Sequence, residues 1–312
     1  MEDFQGKIAV VTGGGTGMGR ELVRQLAAQG CHVASCDVID ANLNETLDLV
    51  RAESPDVRVS GHHCDVGIEE DIVRFANEVQ EVHETSHINL LFNNAGIGGA
   101  GSFINDPREN WERTFNICWN GVYWCLRAFL PLLKASEEAH VVNTSSVNGF
   151  WASIGSQTPH TAYSAAKFAV KGLSEALITD FRLNAPHIGV SVVMPGHIGT
   201  SIASNSQLIM SGKSEWEFSP EQVKRLREWL TNSGEPVHNE SDQQIIDRMK
   251  QRMNFFRDNA PTTAAEASGI ILDGVKQGRW RILVGDDAHR LDERVRNTPE
   301  KAYDEDFFYR II

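Results

Sequence analysis

The sequence predicts an α/β fold with a parallel, doubly wound sheet, and three observations predict it. Short apolar runs alternate with longer amphipathic ones along the chain. A glycine-rich turn, GGGTGMG, stands between the first apolar run and the first amphipathic one. Small and polar residues cluster just after the apolar runs, as in NNAG at 93–96, TSS at 144–146 and PG at 195–196. Strands that alternate with helices are joined by right-handed crossovers into a parallel sheet covered on both faces. Ligands in such sheets bind beyond the carboxyl ends of the strands, where the strand order switches.

Taken in order, the runs KIAVVT (7–12), HVASCD (32–37), RVSGHHCD (58–65), INLLFNNAG (88–96), AHVVNTSS (139–146), IGVSVVMPG (188–196) and RILVG (281–285) read as strands. That makes a seven-stranded sheet. Helical patterns lie between them, clearest at 18–29, 69–83, 110–135 and 163–184. Residues 201–262 are too long for an ordinary αβ connection and carry helical patterns of their own, so they read as an insertion in one domain spanning 1–312. Within it, SPEQVKRLREWL places Ser219 as an N-cap before Pro220. The tail, 286–312, is charged and reads as a possible subunit contact.

The chain of 312 residues has a formal net charge of −13, which argues against nucleic acid or an anionic membrane surface as its partner. No apolar run reaches the length of a membrane span, and no signal-peptide pattern precedes the first strand. Cys31, Cys36, Cys64, Cys118 and Cys125 are odd in number and lack CxxC spacing, so neither a disulfide framework nor a zinc site is expected. His62 and His63 alternate faces along one strand, and no metal is expected there either. The expected location is cytoplasmic.

The glycine turn carries the spacing GxxxGxG at Gly13, Gly17 and Gly19. Such glycines allow a tight turn and let a pyrophosphate approach backbone N–H groups at a helix N-terminus. Asp37 closes the second strand. A carboxylate there accepts hydrogen bonds from the adenosine ribose hydroxyls and repels a 2′-phosphate. No Lys or Arg stands in the turn or in CDVIDANL to offset that repulsion, so NAD is favoured over NADP. A further pair, Tyr163 and Lys167, stands four apart in HTAYSAAKFAVKG and therefore on one helical face, roughly 6 Å apart along the axis.

These motifs together resemble those of the classical short-chain dehydrogenase/reductase family. The resemblance rests on TGGGTGMG (12–19), CDV (64–66), NNAG (93–96), NTSS (143–146), YSAAK (163–167) and PGHIGT (195–200), in family order, and covers nearly all the chain except 201–262 and the tail. It implies a Rossmann fold and cofactor contacts from Gly13, Thr16, Gly17, Met18 and Gly19 on the turn. It implies that Asp65 and Val66 contact the adenine and that Asn93, Ala95 and Gly96 line the cofactor. In the last motif Pro195 and Gly196 lead into Ile198 and Thr200, which hold the nicotinamide carboxamide. Tyr163 is the implied acid/base, and Lys167 contacts the nicotinamide ribose. Homodimers or homotetramers are also implied, paired through the Tyr163 helix and the preceding aromatic helix.

A phenol of pKa about 10 is a poor base near neutral pH. A nearby ammonium and a positive nicotinamide both favour the phenolate. A serine hydroxyl then holds the substrate oxygen. Ser145 and Ser146 both end the fifth strand; the family pattern favours Ser146, with Ser153 and Ser156 as weaker candidates. Where many members carry asparagine in NxxG, this chain has Cys118 before Gly121, with Asn116 and Asn120 off to the side. His160 and His197 are expected to serve loop packing or substrate contact. The expected activity is NAD-dependent hydride transfer between a secondary alcohol or ketone, bulky and hydrophobic or cyclic, and nicotinamide C4. Apolar residues of the insertion, among them Ile202, Leu208, Ile209, Met210 and Trp216, are expected to form a lid over the substrate. The alternatives are an NADPH-dependent carbonyl reductase and a non-catalytic dinucleotide-binding regulatory protein.

Overall fold

The structure is a computed structural model that describes residues 1–99, 101–155, 158–212, 218–232 and 234–307; Ser156 and Trp216 lie outside the described residues. Seven parallel strands form the main sheet: β1 (Ile8–Thr12), β2 (His32–Asp37), β3 (Val59–His63), β4 (Leu90–Asn93), β5 (Ala139–Thr144), β6 (Ile188–Pro195) and β9 (Arg281–Val284). Their order is β3-β2-β1-β4-β5-β6-β9. The order therefore reverses between β1 and β4, which opens a crevice beyond their carboxyl ends.

Burial follows position in the sheet. Every residue of β4 and β5 is buried, as expected of central strands covered on both faces. Edge strand β3 alternates instead, with His62 turned inward and His63 outward. One face of the sheet packs Phe75, Phe129 and Val170; the other packs Leu22, Leu26, Ile271 and Val275. The helices that supply them are α1 (Gly17–Ala28), α3 (Glu69–His83), α5 (Gly121–Lys134), α6 (Thr161–Asn184) and α10 (Ala264–Lys276). A further helix, α2 (Asp40–Glu53), joins β2 to β3.

The single helix expected over 110–135 is divided. Helix α4 (Arg108–Phe115) runs into a π-helical turn, Asn116–Asn120, before α5 begins. At Gly121 the helix passes so close to the loop after β3 that a Cβ would lie 2.8 Å from the Val66 carbonyl. The wider turn accommodates an extra residue there, a device common beside functional sites. It is not visible in hydrophobic periodicity.

The insertion is stitched at its ends. β7 (Ile198–Gly199) and β8 (Thr262–Thr263) pair parallel as a two-stranded sheet. Between them lie α7 (Ile202–Ser211), α8 (Pro220–Asn232) and α9 (Asp242–Asp258). Ser219 caps α8 as expected: its hydroxyl accepts the Gln222 N–H at 3.2 Å, and the Gln222 side chain accepts the Ser219 N–H at 2.8 Å. Val223, Leu230, Val237 and Ile245 give α8 and α9 a small core of their own. The tail follows α11 (Asp286–Asn297) and packs on its own chain as far as Phe307.

Candidate active site

The crevice is an open groove of about 800 Å³, counting the solvent space at its mouth. Of the expected cofactor contacts, Gly13, Thr16, Gly17, Met18, Gly19, Asp37, Asp65, Val66, Ala95, Gly96 and Thr200 line it. Its floor is backbone held at close quarters. A Cβ on Gly19 would fall 1.9 Å from the Gly13 carbonyl oxygen, and one on Gly13 would fall 2.8 Å from the Ala95 Cα. Gly13 and Gly17 also have φ of 68° and 56°, in the region that favours glycine.

At the far end of the groove Asp37 accepts the Gly15 N–H at 2.9 Å and the Ile39 N–H at 3.0 Å. Burial raises its carboxyl above the ordinary range, and these backbone donors oppose that rise. Beneath the glycine turn Arg20 donates to the Gly15 carbonyl at 2.7 Å and to Glu45 at 2.6 Å. Asp65 pairs with Arg113 and accepts the Gly67 N–H at 2.8 Å.

Ser146, Tyr163 and Lys167 do not line the groove; they stand behind Gly96, where a Cβ would lie 3.5 Å from Lys167 Nζ. The Ser146 hydroxyl accepts the Asn148 N–H at 3.1 Å and acts to lower the Tyr163 pKa. Ser145 turns away and donates to the Lys167 carbonyl at 2.7 Å, which separates the two serines left open by sequence. Ser153 accepts the Gly155 N–H at 3.1 Å within its own loop. Lys167 Nζ lies 5.3 Å from the Tyr163 ring centroid and donates to the Thr144 carbonyl at 2.8 Å. Burial pushes the phenol well above its usual range, with Cys118 adding to the rise and Ser146 opposing it; burial likewise lowers Lys167. The phenolate is therefore not preformed by the lysine alone.

Cys118 is fully buried on the π-helical turn and donates its thiol to the Ile97 carbonyl at 3.3 Å. A Cβ on Gly96 would lie 3.5 Å from Lys167 Nζ and 3.8 Å from Cys118 Sγ, so these three residues meet. Asn120 and Asn116 bond each other at 2.7 Å.

Some expected residues lie off the groove. The Asn93 side chain sits inside the sheet, donating to Asn143 at 2.8 Å, while its neighbour Asn94 lines the groove. Strand alternation sends adjacent residues opposite ways, and NNAG alone does not say which asparagine faces out. Gly196 packs against Asp287, where a Cβ would meet the carboxylate at 2.1 Å. Pro195 ends β6, and buried Ile198 belongs to β7. His197 anchors α9, its Nε2 bonding the Phe256 carbonyl at 2.7 Å. Sequence reasoning missed Val38, Ile39, Cys64, Ile97 and Ile117 on the groove and, on α7, Asn205, which donates to Thr16 at 3.0 Å, and Ser206, which accepts the Gly98 N–H at 2.7 Å. No spacing signal pairs positions so far apart in the chain.

Fold and groove together define a dinucleotide-binding oxidoreductase architecture. The short chain dehydrogenase family model matches residues 7–208, and the chain belongs to this family. It is 31% identical over 296 residues to the Mycobacterium tuberculosis protein SadH, covering 95% of this chain and 92% of that one. It is 31% identical over 201 residues to meso-2,3-butanediol dehydrogenase of Serratia marcescens, covering 64% of this chain and 75% of that one. A short chain dehydrogenase/reductase from Burkholderia phymatum, solved in complex with NAD, superimposes with a TM-score of 0.76 at 27% identity, covering 96% of this chain and 95% of that one.

Proposed function

We propose that this protein is an NAD-dependent dehydrogenase that interconverts a secondary alcohol and its ketone, with Tyr163 as acid/base. The observation that carries the reading is Lys167 Nζ set 5.3 Å from the Tyr163 ring centroid, with the Ser146 hydroxyl favouring the phenolate. The groove fits a nicotinamide dinucleotide: its glycine floor has no room for a Cβ at Gly19, and a buried carboxylate stands at its ribose end. When bound, the cofactor supplies a hydride acceptor at nicotinamide C4 and a positive charge beside the phenol. Tyr163 takes the hydroxyl proton from the alcohol in oxidation and returns it in reduction. Ser146 orients the substrate oxygen and offsets its developing charge. Lys167, held by Thr144, presents its remaining donors toward the cofactor ribose.

Asp37 supports NAD over NADP, because a 2′-phosphate would meet a carboxylate there and Arg20 is already engaged. The likeness to the Serratia meso-2,3-butanediol dehydrogenase supports a secondary carbinol as the reacting group. Half-buried Ile202, Leu208, Ile209 and Met210 of α7 support a bulky, apolar or cyclic alcohol beneath a lid formed by 201–262. The half-exposed Tyr123 and Phe168, on α5 and α6, support a homo-oligomer, which light scattering tests.

The central test follows absorbance of the reduced nicotinamide with each cofactor across a panel of secondary alcohols. Tyr163→Phe keeps the ring and removes the proton, so turnover should fall by at least about 10²–10⁴-fold with NAD binding retained. Near-normal turnover in that variant would falsify the acid/base assignment.

A further inference from the structure

A second cleft, of about 910 Å³, opens beside the Tyr163 helix, between the loop after β5 and the C-terminal tail. Pro159, Tyr303 and the nearly buried Trp151 and Phe307 line it together with polar side chains, Ser153, Thr158 and His160 among them, and Asp304 and Glu305 stand at its rim. The two segments are fixed to each other. Trp151 Nε1 donates to the Ala302 carbonyl at 2.7 Å, and the Ala152 N–H donates to the Tyr303 hydroxyl at 3.0 Å. The tail is thus a wall of this cleft rather than a loose end.

His160 lies between the cleft and Tyr163, which does not itself line the cleft. Its ring centroid lies 4.7 Å from that of Tyr163, and it lines the cleft. Its ring nitrogens make no hydrogen bond among the described residues. Burial holds its pKa down to about 4, so at neutral pH it presents an uncharged ring with one donor and one acceptor. Among the described residues no Lys or Arg lines the cleft, whereas two carboxylates do.

We propose that this cleft receives the half of the substrate remote from the carbinol, and that it selects flat, apolar alcohols whose far end carries an uncharged or cationic hydrogen-bond donor, against carboxylates and phosphates. The proposal rests on the assignment of Tyr163 as acid/base. Pro159 and the Tyr303 ring take the apolar body of the molecule, His160 bonds a polar group near the carbinol, and the rim favours positive charge over negative.

Three probes that share a skeleton test it: 1-[4-(aminomethyl)phenyl]ethanol, 1-[4-(hydroxymethyl)phenyl]ethanol and 4-(1-hydroxyethyl)benzoate. Their dissociation constants are measured by calorimetry on NAD-loaded protein at low salt, and their turnover is measured separately. The ammonium compound should bind about 10-fold tighter than the carboxylate, a gap set by charges at the exposed rim and reduced by salt. Asp304→Asn with Glu305→Gln should shrink the gap to less than about 3-fold. His160→Phe should weaken the neutral diol by about 3–10-fold and leave the NAD dissociation constant unchanged. Equal binding of ammonium and carboxylate in the parent, or an unchanged order in the rim variant, overturns the proposal. The binding order reports the cleft, whereas turnover reports the chemistry. The expected order without any turnover would therefore support the cleft and count against Tyr163 as acid/base.

Discussion

The groove has two walls built by different physics. The glycine turn and the Ala95–Gly96 loop meet backbone to backbone, and they are shaped by the absence of side chains. Helix α7 faces them across the groove and is tied down by side chains, through Asn205 on Thr16 and Ser206 on the Gly98 N–H. At Gly13 and Gly19 the first wall has no alternative arrangement, because a Cβ there meets backbone that cannot give way. The second depends on individual hydrogen bonds, each worth about 0.5–1.5 kcal/mol net, and can let go. A site that must admit a large cofactor and then exclude water needs one wall of each kind.

The comparison is broken most sharply at the rigid wall. Gly19→Ala would place a methyl 1.9 Å from the Gly13 carbonyl oxygen. The turn must then shift, and the NAD dissociation constant should rise by about 100-fold or more, since binding relies on backbone donors at the helix N-terminus. Calorimetry reads this directly, and binding within about 3-fold of the parent would contradict it.

At the ribose end of the same wall, Asp37→Ala with Val38→Arg removes a carboxylate and adds a phosphate partner. The ratio of kcat/KM for NADP to that for NAD should rise by about 10–100-fold. A parent that already prefers NADP would refute the reading of Asp37.

The movable wall should respond more weakly. Asn205→Ala deletes the bond to Thr16, so KM for NAD should change by roughly 3–10-fold while the thermal midpoint stays nearly constant. A large loss of stability would instead show that α7 is a fixed part of the core.

Acid distinguishes the sheet from its surroundings. Burial holds His83, on α3, and His140, on β5, down to about 4 from an ordinary value of 6.5. The unfolded chain therefore binds more protons than the fold between those values. Stability should be full above about pH 6.5 and fall as pH drops toward 4, on the order of 1–3 kcal/mol per histidine. Thermal midpoints measured from pH 7 to 4.5 should decline; a flat profile would show that neither histidine is buried uncharged.

Legibility differed between the two walls for a physical reason. Gly13, Gly17, Gly19 and Asp37 sit within one βαβ unit, where local chain geometry alone brings them to the groove. The seven strands were legible because burial imposes apolar runs, and the glycine termini follow from the strand ends. The split of the aromatic helix at Asn116–Asn120 was not, since a π-helical turn adds a residue without disturbing composition. Neither was the contact of Thr16 with Asn205, whose partners lie 189 residues apart.

By itself the sequence determined the parallel α/β class, the glycine turn with its acid, and the Tyr163–Lys167 pair on one helical face. These depend on periodicities and short spacings that the chain carries locally. Tertiary structure decided which of two adjacent serines meets the phenol, which of two adjacent asparagines lines the groove, and that the tail walls a cleft beside His160. Each of those choices turns on which face of a strand or loop meets a distant segment. A one-residue step reverses the direction of a strand side chain, and only packing against the rest of the molecule selects between the two.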